Sequence, residues 1–250
     1  FEYDLLDQLQ IVQILDWFHA NPLDDGVLSL ICIDRFDGVT PFRGIGQLNP
    51  AQMASLQPLA APITQAHLRL AEEAWHLFRE PDPRELVGFA REVHPELPFL
   101  SAALMRHFEE YAWTKDGLTR TERQLLQLVR DGVDRPGQLF LRNMDLEERL
   151  FIGDWPTYRH IETLSNRERP LVVSTPGPDF RCTPEDMVNR EEFLAQRLSL
   201  TLLGGEVLDG TQDERDLRLR DEWRGGVHIK SGEPMWMWNH KSASLELTAA

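Results

Sequence analysis

Lysine is almost absent. Only Lys115, Lys230 and Lys241 carry it, and the remaining basic positions are Arg, giving 26 basic side chains against 41 acidic ones and a formal net charge of -15. A surface that grips nucleic acid clusters Lys and Arg to displace phosphate counterions. Cutting after Asp116 leaves eight basic against 18 acidic residues before the cut and 18 against 23 after it, so neither half holds such an excess. Cysteine is scarcer still, with two residues, Cys32 and Cys182, far apart and outside any CxxC pair. That excludes a disulfide framework and leads us to expect two unpaired thiols in a reducing, cytoplasmic setting. Long apolar runs are missing too. The stretch VLSLICI at 27–33 falls far short of the roughly 20 residues that a bilayer crossing requires, so no membrane partner is expected.

The motifs of familiar chemistry are also lacking. The eight His are dispersed, with no HExxH and no Cys-His spacing, so no metal site is expected. There is no GxSxG elbow. Gly44-Ile45-Gly46 lacks the third glycine of a dinucleotide fingerprint and reads as a plain turn, so no cofactor is assigned. Nothing names a catalytic residue.

What remains is architecture. The 250 residues, 42% hydrophobic and 27% charged, suffice to bury a core without staples. The chain opens FEYDLLDQLQ, without Met, which reads as the start of a fragment. Leu5 to Phe18 has apolar side chains at a period near 3.6, including Leu6, Ile14 and Phe18, and predicts a helix with a wide buried face. Val27 to Ile33 predicts a strand covered on both faces, and Phe1 to Tyr3 the tail of a preceding strand, giving a β-α-β start. Asn49, Thr64, Asp82-Pro83 and Ser101 open further helices. Thr119 and Glu122 form a capping box over TERQLLQLVRD. Helices at 136–148 and 154–165, the latter capped by Asp154, lead to a strand at 171–173, a helix from Thr183 and a strand running into a helix in RLSLTLLGGEVLDG. GVHI and MWMWN, turning at SGEP, read as a closing hairpin.

Taken in order, FEYDLLDQLQIVQILDWF, ICIDRFDGVTPFRGIGQL, GLTRTERQLLQL, LSLTLLGGEVLDG and DEWRGGVHI followed by MWMWN resemble the uncharacterised bacterial family catalogued as domain of unknown function 1835, with its C-terminal winged-helix-like domain. The resemblance covers nearly the whole chain. It implies a further strand and an Asn-Gly-Asp-Ser loop upstream of Phe1, and it brings no reaction with it. The expected fold is therefore α/β, a truncated Rossmann-like portion with a helical extension over 1–115, followed by a mostly α winged-helix-like domain over 116–250.

Two roles fit these residues. Asp4 at an N-cap and Asp7 at the third helical position are explained by capping and the helix dipole. Yet ligands of open α/β sheets bind beyond the carboxyl ends of the strands, where Asp4, Asp7, Gln8, Arg35 and Arg43 would gather into the site of an enzyme or of a binder of a nucleotide or phosphate-like ligand. In the second domain Arg159 and His160 face outward as nucleic-acid or partner contacts, with Asp154, Glu162 and Glu168 cancelling the nearby Arg residues. The charge balance favours a regulatory or adaptor protein that meets a protein partner or itself over one that grips DNA. Trp223, Trp236 and Trp238 are expected in a core.

Overall fold

A computed structural model describes residues 1–24, 26–175, 177, 180 and 190–248, without the side chains of Arg190 and Leu194. Asp4 starts helix α1 (Leu5–Ala20), its carboxylate accepting from the Asp7 amide at 3.0 Å. That bond satisfies one of the donors left orphaned in a first helical turn. Gln8, Ile11, Val12 and Leu15 form the buried stripe of α1. The stripe is narrower than the periodicity implies, since Leu6 and Ile14 stay 64% and 42% exposed.

The strand expected over 27–33 shrinks to β1 (Ser29–Leu30), paired antiparallel with β2 (Ala61–Pro62). The following residues use the other edge. The Phe1 ammonium donates to Ile31 O at 2.9 Å, the Ile33 amide to Phe1 O at 3.2 Å, and Glu2 bridges Ile33 in parallel. Two short partners on opposite edges replace one long neighbour, and Val27, beyond both, is exposed.

Asn49 caps α2 (Pro50–Ala54) through a reciprocal bond with Gln52. Helix α3 (Gln65–Phe78) presents Leu68, Ala71, Ala74 and Leu77 to the interior, the small alanines letting α1 approach closely. Helices α4 (Arg84–Ala90) and α5 (Leu100–Phe108) complete this core, with Leu100, Leu104 and Phe108 fully buried.

Further along, the Thr119 and Glu122 capping box opens α6 (Arg120–Arg130) as expected, and α7 (Pro136–Asp145) and α8 (Asp154–Ser165) follow. Asp154 is not the cap of α8. Gly153 holds that position and the Asp154 carboxylate instead accepts from the Trp155 amide at 2.7 Å. Strand β3 (Val172–Thr175) pairs antiparallel with β4 (Arg197–Leu200), and α9 (Arg190–Ala195) lies between them in sequence. Cys182 and the helix start at Thr183 lie outside the described residues. Thr201 caps α10 (Leu202–Leu208) by accepting from the Gly204 amide at 2.9 Å. Leu118, Leu126, Leu139, Leu164 and Val207 are at the centre of this second core, each worth roughly 1.5–3 kcal/mol of apolar burial.

The closing hairpin is paired differently from the expectation. Strand β5 (Asp221–Arg224) pairs with β6 (Val227–Lys230), and β7 (Met235–Asn239) with β8 (Ser244–Thr248). Gly225, at φ +61, turns the first hairpin, because a two-residue Gly-Gly loop matches strand twist better than the longer SGEP turn. Trp238 is 2% exposed, as a core residue should be, but Trp223 is 63% exposed and stacks on His228 at 4.4 Å.

The chain is thus mixed α/β with small antiparallel strand pairs, and no helix among the described residues is long and apolar enough to cross a membrane. One compact unit comprises Phe1–Phe108, Arg149–Phe151 and Trp223–His228, the other Glu109–Glu148, Ile152–Glu222 and Ile229–Ala250.

Candidate functional site

In the first unit, Phe1–Tyr3 lies beside 31–33 with the chains parallel, so their carboxyl ends meet on one rim. The structure then assigns the expected rim residues to other work. Gln8 is 1% exposed, and its amide donates to Glu2 O at 2.6 Å and to Cys32 Sγ at 3.4 Å. It ties helix to strand beneath the rim instead of facing a ligand. Asp4 caps α1, and Asp7 turns its carboxylate onto the Glu2 amide at 2.6 Å. Arg35 points outward, its side chain 87% exposed and 3.7 Å from Asp34 Oδ1. The Arg43 amide donates to Gln47 Oε1 at 2.5 Å. Asp4, Asp7 and Gln8 are brought together with Glu2, and Arg35 stands apart from them.

The loop bearing Gly44 and Gly46 does fold over the rim. Its amide at Ile45 donates to Glu2 Oε1 at 2.7 Å, and Tyr3 Oη donates to Phe42 O at 3.1 Å. A Cβ on Gly44 would meet Glu2 Oε2 at 2.4 Å, and Gly44 has φ +142, so only glycine lets the loop close this tightly. The anion received by this turn is the chain's own carboxylate.

Burial sets the titration of the rim. It raises the Glu2 carboxyl above its ordinary 4.5, against the opposing Ile45 hydrogen bond and helped by the charges of Asp4 and Asp7. Burial likewise raises Asp4, against the Asp7 amide, and the Cys32 thiol, against the Gln8 amide. A carboxyl raised in the folded state favours folding most below its unfolded pKa, and that contribution is lost as pH rises through the folded value. We therefore expect Glu2→Gln, which keeps an acceptor for Ile45, to lessen the decline in stability that the parent shows as pH rises from 4.5, with the raised Asp4 carboxyl accounting for what is left. Urea midpoints for both chains across that range check this, and parallel pH profiles would refute it.

Arg149 belongs to the same unit and escaped the sequence reading. Its guanidinium lies over the rings of Phe99 and Tyr3, at 5.2 and 5.8 Å from their centroids. Its Nη1 is buried with no hydrogen-bond partner. No local signal marks it, because in DLEERLF an Arg after two Glu reads as a surface ion pair.

In the second unit, the acid of the capping box is a hub. Glu122 is 2% exposed and accepts from the Thr119 amide at 2.9 Å. Arg218 Nη1 lies 2.8 Å from Glu122 Oε1, and Arg220 Nη2 lies 3.3 Å from Oε2. Buried Glu214 takes both Nη atoms of Arg167, at 2.7 and 3.0 Å, and Arg218 Nε at 3.5 Å. Burial alone would push the Glu122 carboxyl up, but Arg218, Arg220 and His160 more than reverse it and hold it far below the usual carboxylate range. The acids here are already matched by arginines, an arrangement that fixes the 214–222 segment in register without leaving a free reacting group. Arg159 pairs with Glu162 on its own helix, and half-buried His160 faces the Glu122 charge. The two do not form one outward-facing pair.

Comparison with protein-family models, curated proteins and solved structures gives no match.

Proposed function

We propose that the chain is a cytoplasmic regulatory or adaptor protein whose second unit is a winged-helix-like module for protein contact. The order of α6, α7 and α8 followed by the β3–β4 hairpin supports that reading of the unit, and the parallel contact bridged by α1 supports a Rossmann-like reading of the first. With these orders, the quoted motifs support membership of the domain of unknown function 1835 family. One observation carries the choice of partner: two of the three Arg on α8 and its flank are spent within the chain, Arg159 on Glu162 and Arg167 on Glu214, which leaves Arg169 alone for a phosphate. A groove-reading helix keeps its Arg free for phosphates and base edges. Exposed Leu141 and Leu146, in and just beyond α7, offer apolar anchors for a protein partner or a second copy.

Gel-shift titration with a mixed-sequence duplex should show no complex even at about 50 mM salt, where phosphate-driven binding is strong. A complex that survives about 200 mM salt would overturn the reading.

A further inference from the structure

We propose that Arg149 is the anchor of a small oxyanion site in the first unit, receiving a carboxylate or phosphoryl group. Other arginines withdrawn from solvent among the described residues close on acids, as Arg120 does on Glu109, Arg167 on Glu214 and Arg220 on Glu122. Arg149 differs, since among the described residues no carboxylate lies within ion-pair distance of it and its Nη1, though buried, has no hydrogen-bond partner. A charged donor removed from water without an acceptor is costly, and an incoming oxyanion supplies the acceptor.

The rings of Phe99 and Tyr3 hold the guanidinium by its face. Stacking leaves the in-plane N–H groups unspent, and those are the groups that meet a carboxylate or phosphate in a two-pronged contact. Tyr3 is fixed in turn. Its hydroxyl donates to Phe42 O at 3.1 Å, so the ring under Arg149 is positioned before any ligand arrives. The neighbouring acids are occupied, Glu2 with the Ile45 amide and Asp4 with the Asp7 amide. Neither lies within ion-pair distance of the guanidinium, which leaves the fork to an external anion. Arg149 as a residue is half-buried, so part of it is open to solvent.

The test titrates the full chain with sodium acetate and, separately, with inorganic phosphate, at constant ionic strength set with chloride, following amide shifts in 1H–15N spectra. Saturable shifts centred on 1–3 and 149–151 are expected with at least one probe. Acetate alone identifies a carboxylate ligand and phosphate alone a phosphoryl one. Arg149→Gln should abolish the saturation, and Arg149→Lys, which keeps charge and stem but not the fork, should weaken binding by about tenfold or more. Absence of saturable shifts in the parent with both probes would overturn the proposal. So would an unchanged affinity in either variant.

Discussion

Glu122→Gln is expected to cost about 3–5 kcal/mol of stability, because removing one partner of a buried ion pair strands the others. Glutamine keeps an acceptor for the Thr119 amide, so the helix cap survives. The charge does not. Arg220, whose side chain is 2% exposed, would retain Glu222 at 3.0 Å and the Gly117 carbonyl at 2.9 Å but lose its buried counter-ion. Arg218 would keep only the longer contact to Glu214, at 3.5 Å. The change is therefore larger than the same substitution at Glu162, whose partner Arg159 has a side chain 56% exposed and whose pair is worth at most about 1 kcal/mol. The pH dependence has a definite sign. A carboxyl lowered in the folded state stabilises the protein above its unfolded pKa, near 4.5, and the contribution is lost as pH falls toward the folded value. In the parent chain stability should fall on acidification below pH 4.5, and Glu122→Gln should flatten that limb while lowering the neutral plateau. Denaturant midpoints at pH 7 and below 4.5 measure both. An unchanged neutral plateau would show that Arg218 and Arg220 need no buried counter-ion.

The capping signals were legible because they are local. Asp4, Asn49 and Thr119 each reach an amide three residues on, and the residue types alone announce it. Strand pairing was less legible. MWMWN was correctly bounded, but its partner SLELT also alternates, and the choice between β6 and β8 turned on which loop closes most tightly. The rim shows where sequence reading stops. Asp4, Asp7 and Gln8 were rightly placed near one another, yet Gln8 follows the buried stripe with Ile11, Val12 and Leu15, so its periodicity already pointed inward. Arg149 could not be found from its neighbours. Its rings come from Tyr3 and Phe99, distant in sequence, and a missing counter-ion is visible only once the chain has folded.

The adjacent glycines of LTLLGGEVL look interchangeable, and their alanine variants should differ sharply. A Cβ on Gly204 would stand 2.3 Å from Leu171 O and 2.8 Å from Leu200 Cδ1. The leucine end can rotate away; the backbone carbonyl cannot, because Leu171 O accepts from the Thr201 amide at 3.0 Å and the Leu171 amide donates to Leu164 O at 2.9 Å. Gly204→Ala must push α10 off the start of β3, and forced overpacking of this kind costs about 1–3 kcal/mol or more. At Gly205 the nearest atom to an added Cβ is Leu200 Cδ2 at 3.9 Å, an ordinary contact, and alanine is favoured over glycine inside a helix by about 1 kcal/mol. Gly205→Ala should therefore raise the thermal midpoint while Gly204→Ala lowers it, read by calorimetry on the full chain. Equal shifts of the same sign would mean that the Leu171 carbonyl does not set the approach of α10, and that the glycine pair serves helix flexibility alone.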